Sequence, residues 1–438
     1  MAATSPPTLQ GLPLVGNAFA FMRDPVALVR AGYAEHGSVF ALRMGPRRSV
    51  VVAGVAESRQ AIALPETTLA VQPVYQWLKP MFGAVMQAAD HPDYLRQRAA
   101  LLPAFHSRNH ADYLAAIIDE TSEWLGRLGP RGEFDASADL ERLSMDIAVR
   151  LFLGPGFRAR HGDRFRSLFL DIAAGMEFFL PANLPTPRLR RRDRARRKMF
   201  ELMGPHLRAV REDADTGRYG FLPHLISGGA AFDDETVIGL ILILVYAAYE
   251  TTAAQLAWSL ILLLQHPKEL AAMDEEIAGL PRYAGDWTAT DLHRQRRLFE
   301  ALLESQRLRP VTTLLTRQTV TAYDVGGFTV PAGSQTLFCP PVTHRVPEVF
   351  PDPDRFDPDR FSKDRDTDGH AAAGLLNLGG GLHACLGARF ADLEMKAVLA
   401  MLTRSYDMEL GIAEPRQAAG LGVARPASPC PVRYAARV

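Results

Sequence analysis

The sequence carries no excess of charge of either sign. Forty-nine Lys and Arg balance 49 Asp and Glu, for a formal net charge of +0 at pH 7. That excludes the basic footprint of a nucleic-acid-binding protein. Cysteine is scarce. Cys339, Cys385 and Cys430 are the three in 438 residues, too few for a disulfide framework and in keeping with a reducing compartment. No Gly/Ser linker, charge block or internal repeat divides the chain, so one domain over residues 1–438 is expected. Residues 1–17 are rich in Pro and Gly and lack a positive segment followed by an apolar core. Neither a signal peptide nor a membrane anchor is expected there, which points to a soluble cytoplasmic protein.

Against this background one stretch stands out: Leu378-Gly379-Gly380-Gly381-Leu382-His383-Ala384-Cys385-Leu386-Gly387. Three glycines lead into a lone cysteine. The following segment, Ala388 to Leu402, places Phe390, Leu393, Val398 and Leu402 at helical spacing. Cys385 therefore sits where an irregular loop becomes a helix. Unpaired N–H groups and the helix dipole there favour negative charge, and a thiolate is the metal-ligating form of cysteine. Glycine lets the loop backbone approach a flat ligand without a β-carbon in the way. The alternative for an isolated intracellular cysteine is a buried structural role.

The rest of the chain reads mainly as helix with short strands. A helix is expected over Asp24 to His36, and a hairpin over Ser38 to Met44 and Ser49 to Ala53 about Gly45-Pro46. Ala56 to Ala63 reads as helix, and Gln72 to Gln87 as irregular and apolar. A proline-containing loop over Phe178 to Pro187 precedes the basic run Arg188 to Lys198, which reads as a solvated helix face. Asp233 to Gln265 is apolar for a length that could cross a membrane, but Glu250-Thr251-Thr252 at mid-run argues for a buried central helix. In Leu298 to Leu308 the spacing of Glu304 and Arg307 puts both on one face. Val311 to Val320 reads as a strand, Val325 to Phe338 as two more, and Gly420 to Tyr434 as a C-terminal hairpin.

The glycine–cysteine stretch resembles the haem loop of the cytochrome P-450 haem-thiolate monooxygenases, Phe-x-x-Gly-x-His/Arg-x-Cys-x-Gly. It matches at Gly381, His383, Cys385 and Gly387 and departs at Leu378, where the family usually has Phe. Further motifs follow in the family's order along nearly the whole chain. The resemblance implies a mainly α fold with small β-sheets (α+β), in the family's triangular form, holding haem b with Cys385 as the iron ligand. A thiolate in that position favours cleavage of the O–O bond.

It also implies roles for named residues. Gly379 and Gly387 belong to the haem loop. His383, Arg317 and Arg98 are expected to hold the haem propionates, with Tyr94 in the place of the family's Trp or His and Tyr75 nearby. The wording from Tyr75 to Pro80-Met81-Phe82-Gly83 resembles the sterol 14-demethylase branch. The central helix carries the family's acid–threonine pair as Glu250 and Thr251, with Ala248 where Gly is usual. Thr251 would hold a water and Glu250 would relay protons. Glu304, Arg307 and Arg360 would form a structural network, and Trp77, Phe82, Met86, Phe179, Ala247, Ala248, Leu314 and Leu315 would line the substrate pocket. The expected reaction is insertion of one oxygen atom from O2 into a lipophilic molecule such as a terpenoid, polyketide or steroid. Electrons would come from NAD(P)H through a ferredoxin reductase and a ferredoxin, to a protein expected to be a monomer. The alternatives are a hydroperoxide-dependent peroxygenase or isomerase, and a non-catalytic haem sensor.

Overall fold

The computed structural model describes residues 4–177, 184–213, 220–227, 232–366, 369–420 and 422–437. Phe179 lies outside them. Among the described residues helices make up most of the fold, and ten strands form three small sheets. These are β1 (Val39–Met44), β2 (Arg47–Val52), β3 (Leu69–Ala70), β4 (Arg131–Asp135), β5 (Leu315–Thr319), β6 (Tyr323–Val325), β7 (Phe328–Val330), β8 (Gln335–Phe338), β9 (Tyr406–Leu410) and β10 (Pro431–Ala436). The largest sheet has the order β1-β2-β8-β5-β3, the second β4-β10-β9, and the third is the β6-β7 hairpin. β1 and β2 pair antiparallel as expected, with Gly45 at φ +61° in the turn.

Two expectations about strands need correction. The strand expected from Val311 begins at Leu315. Residues 311–314 follow Pro310 in irregular backbone, where the Val311 carbonyl accepts from Ala424 N at 2.9 Å. The expected hairpin over Gly420 to Tyr434 is instead a short bridge, Gln417 to Pro426, followed by β10. β10 is the middle strand of its sheet, between β4 and β9. Its partners lie far away in the chain, so no local pattern announces them.

The helix Asp234–Gln265 organises the interior. Asp233 caps it, accepting from Thr236 N at 2.8 Å. Its 32 residues span about 48 Å at 1.5 Å per residue. It is apolar on every side because protein surrounds it: the helices Ala138–Leu153, Arg296–Leu308 and Ala388–Ser405 all pack against it. It is long and apolar enough to cross a membrane, but most of it is buried inside the protein. The burial breaks in one place. Ala247 is exposed, and Tyr246, Ala248, Glu250 and Thr251 are half-buried. A solvent-reachable gap halfway along a core helix is what a ligand chamber against that helix requires. The basic run lies in the helix Pro187–Glu212, where Leu189, Ala195, Met199 and Met203 face inward and Arg190, Arg194, Arg197 and Lys198 face water.

Candidate functional site

The cysteine loop is held by its own backbone. Cys385 N donates to Leu378 O at 2.9 Å, and Gly379 N to Leu376 O at 2.9 Å. Gly379 and Gly381 adopt φ +70° and +59°, the left-handed region where glycine carries no steric penalty. A β-carbon on Gly380 would sit 2.8 Å from Ile62 Cγ2, and one on Gly381 would sit 3.0 Å from Ile62 O. Two of the three glycines thus let the loop lie against the end of the helix Val55–Ile62. The sequence reading assigned them to the approach of a ligand. The helix Ala388–Ser405 starts directly after Gly387.

Cys385 keeps accessible surface, yet the protein packed around it desolvates the sulfur. That burial pushes its thiol pKa up, against the opposing pull of the Gly387 N–H and the Arg98 guanidinium. A bound metal cation deprotonates a coordinating thiol outright. Among the described residues no three His, Cys, Asp or Glu groups come together as a metal site.

Cations without acids mark the same region. Arg317 on β5 is 5% exposed. Its Nη1 donates to Thr316 O at 3.0 Å, and no carboxylate pairs with it among the described residues. A buried guanidinium without a counter-charge costs several kcal/mol unless an anion joins it. Arg98 lies beside the cysteine loop, with its Nη1 3.5 Å from both Tyr94 Oη and Ala384 O. Tyr94 donates to Leu382 O at 3.2 Å, and its ring lies 4.7 Å from that of His383. His383 Nε2 is hydrogen-bonded to Glu66, while its buried Nδ1 has no partner. Glu66 also accepts from Val71 N, and its pKa is lowered even though burial opposes the shift: hydrogen bonding and charge attraction from His383 and the Val71 N–H outweigh it. The sequence offered no signal for Glu66, which lies 317 positions from His383.

Of the other candidates, Thr251, Glu250 and Phe82 lie at the gap in the central helix. Thr251 Oγ1 donates to Ala247 O at 2.6 Å, one turn back. Thr252, the next residue, is buried, so Thr251 alone of the two reaches the gap. Glu250 is desolvated, which raises its carboxyl pKa; Arg425 opposes the rise and Glu141 adds to it. Arg425 and Glu141 are themselves ion-paired at 2.5 Å. Phe82 is buried with its ring 5.3 Å from that of Tyr246, and Tyr75 lies 6.3 Å from Trp77. Met86 is a non-glycine residue at φ +46°. Buried Gln97 holds that strained turn, accepting from Met86 N at 2.6 Å and donating to Ala84 O at 3.1 Å; such strain tends to persist at functional sites. Leu314 and Leu315 are half-buried and pack against the two apolar clusters of the largest sheet.

Behind the loop, Glu304, Arg307 and Arg360 meet as expected. Arg307 grips Glu304 through two bonds, Nε to Oε2 at 2.6 Å and Nη2 to Oε1 at 2.8 Å. Arg360 Nε reaches Oε1 at 3.3 Å. Arg307 also donates to the carbonyls of His344, Pro353 and Arg355, and Arg360 to those of Pro351 and Asp352. The link onward to the cysteine loop was not read from the sequence. Leu376 N donates to His344 Nε2 at 2.8 Å, and Asn377 Nδ2 to Gln306 at 2.6 Å. Burial pushes the His344 pKa down to about 3, so its ring is neutral and free to accept.

These features fit haem b. Cys385 would supply one soft donor to the iron, and Arg317, Arg98 and the unpartnered His383 Nδ1 suit a ligand with two carboxylates. The comparisons agree. The retinoic-acid-bound cyanobacterial CYP120A1 has the same fold, with a TM-score of 0.86, 24% identity and full coverage of both chains. A sterol 14-demethylase of Arabidopsis thaliana is 31% identical over 92% of this chain and 86% of its own length. The cyclooctat-9-en-7-ol 5-monooxygenase of Streptomyces melanosporofaciens is 30% identical over 90% and 87%. A sterol 14alpha-demethylase of Mycolicibacterium vanbaalenii is 28% identical over 97% and 96%. The family profile of cytochrome P450 matches residues 6–431. The chain therefore belongs to the cytochrome P450 family and is a haem b monooxygenase.

Proposed function

We propose that this monooxygenase hydroxylates or epoxidises a lipophilic, ring-containing small molecule of the terpenoid, polyketide or steroid type. We further propose that it works in the cytoplasm as a monomer, fed by a ferredoxin and an NAD(P)H-dependent ferredoxin reductase. Two relatives named for sterols and for cyclooctat-9-en-7-ol support the substrate class. Apolar candidates Trp77, Phe82, Met86, Ala247, Ala248, Leu314 and Leu315 give such a molecule surfaces to bury.

When bound, haem b supplies the reductive activation of dioxygen; the chain supplies ligation, shape and protons. Cys385 would hold the iron. Arg317 and Arg98 would pair with the propionates, joined by His383 through Nδ1. Replacing Arg317 with Ala removes a charge-assisted bond worth roughly 1.5–3 kcal/mol. Haem should then leave about ten- to a hundredfold faster, measured as transfer to apomyoglobin. An unchanged rate would remove Arg317 from the propionate site.

One observation carries the monooxygenase reading furthest: Thr251 presents its hydroxyl at the single gap in the central helix, beside the desolvated Glu250. A hydroxyl that already donates to Ala247 O keeps its lone pairs free, so Thr251 can accept a hydrogen bond from a water in the chamber. Glu250 has a raised pKa and lies within the influence of the Arg425–Glu141 pair, so it can take a proton from that side and return it toward Thr251. Peroxide-driven and rearranging enzymes have less use for such a pair.

Thr251→Ala should still consume NADH with substitute redox partners, while product per NADH falls several-fold and hydrogen peroxide rises. Thr252 cannot stand in, being buried and about 100° around the helix. An unchanged ratio of product to NADH would show that Thr251 does not deliver protons.

A further inference from the structure

Once Thr251 and Glu250 have their roles, one hydroxyl at the gap in the central helix is left over. Tyr246 precedes the exposed Ala247 and is half-buried. Its ring lies 5.3 Å from that of Phe82, and its Oη donates to Met176 Sδ at 3.7 Å. Among the described residues no other hydrogen bond reaches that hydroxyl. A thioether is a weak acceptor. A tyrosine hydroxyl withdrawn from water normally finds an oxygen or nitrogen partner, and a sulfur contact does little to offset its desolvation. Phenylalanine would fill the same space without that cost. Met176 follows the helix Pro155–Ala173, and a flexible thioether gives way readily when a better acceptor arrives. The free protein thus carries a donor into the chamber that a ligand can satisfy better than the protein does.

The surroundings select what that ligand group is. Burial raises the Tyr246 pKa, and the Glu250 carboxyl one turn on adds to the rise. The phenol therefore stays protonated and donates. No Lys or Arg is bonded to it or stacked on its ring among the described residues, so an anion would gain no counter-charge here, whereas a neutral oxygen gains a donor. Tyr246 stands five residues before Thr251, about 7.5 Å along the helix. Its Cα–Cβ bond tilts further toward the helix N-terminus. An oxygen held there belongs to a part of the substrate remote from the carbon presented beside Thr251. We infer that Tyr246 is a specificity-determining residue, whose hydroxyl donates to a neutral oxygen, an alcohol or a ketone, at the end of the substrate remote from the oxidised carbon. Resting on the monooxygenase reading of this chamber, this narrows the substrate from a lipophilic ring compound to one that an earlier oxidation or hydration has already given an oxygen.

The test needs no knowledge of the natural substrate. 1-Alkylimidazoles bind a haem iron through nitrogen and lay their tails in the chamber above it. Pairs of graded tail length, one member ending in a methyl group and the other in a hydroxyl, are titrated into the full-length haem-loaded protein, with Kd read from the Soret shift. At the length where the tail end meets Tyr246, Tyr246→Phe should bind the hydroxyl-ended ligand about tenfold more weakly than wild type, the loss of one hydrogen bond. The methyl-ended partner should bind both proteins equally, and shorter tails of either kind should show no difference. Met176→Leu removes the competing sulfur and should keep the wild-type preference for the hydroxyl or sharpen it. The unfolding midpoint of Tyr246→Phe should match wild type, because the ring keeps its place beside Phe82. The inference is overturned if Tyr246→Phe weakens both members of each pair alike, or if it leaves the hydroxyl-ended ligand unaffected at every length. Neither result touches the monooxygenase reading, which the product-to-NADH ratio of Thr251→Ala tests separately. A Soret band that ignores every imidazole would refute the haem site itself, and the inference with it.

Discussion

Glu304→Ala is expected to yield protein that holds little haem and unfolds with a free energy lower by about 3–5 kcal/mol, the loss that follows when one member of a buried ion network is removed. Glu304 and Arg307 are fully buried and Arg360 is 5% exposed. With the carboxylate gone, two guanidinium groups remain in the interior without a counter-charge, and Asp357 N loses the acceptor it reaches at 2.8 Å. Arg307→Ala should be equally severe. It leaves the carboxylate with only Arg360 and Asp357 N as partners and releases three carbonyls along residues 344–355 that Arg307 now ties together. The damage should reach the haem because the same region holds the cysteine loop through His344 to Leu376 and Gln306 to Asn377. Arg307→Lys should recover only part, since an ammonium cannot reproduce the two-pronged grip. Urea unfolding and the haem-to-protein absorbance ratio measure both effects. A fully loaded Glu304→Ala protein of normal stability would mean that the network does not brace the loop.

The second large effect belongs to Cys385→Ser. Product formation should fall to background, while the far-UV circular dichroism and the unfolding midpoint of the apoprotein stay close to wild type. The loop does not depend on the sulfur for its shape. Its turn is made by backbone bonds from Cys385 N and Gly379 N and by the left-handed glycines, all of which serine preserves. Serine removes the soft donor that suits an iron thiolate. Residual activity near the wild-type level would place the iron elsewhere.

Much of this site could be read from the sequence, because its motifs are short and rigid. Cys385 falls at a loop-to-helix junction that glycine and helical periodicity mark. The acid and threonine at 250 and 251 stand out because the surrounding helix is otherwise apolar. Glu304 and Arg307 declare themselves by their spacing. What the sequence did not reveal depends on partners far apart in the chain. Glu66 meets His383, Gln97 holds the Met86 turn, and His344 and Gln306 carry the network to Leu376 and Asn377. None of these pairs has a local pattern. The C-terminal strand was misjudged for the same reason, since β10 takes its place from β4 and β9.

The central claim is that Cys385 binds the haem iron as a thiolate. The most direct measurement is the absorption spectrum of the dithionite-reduced carbon monoxide complex of the wild-type protein, taken beside Cys385→Ser loaded with the same haem. Wild type should show the strongly red-shifted Soret band of a haem-thiolate, and the serine variant should show the band at the shorter wavelength of an iron without a thiolate ligand. A wild-type band at the shorter wavelength, or a red-shifted band that survives in Cys385→Ser, would contradict the assignment.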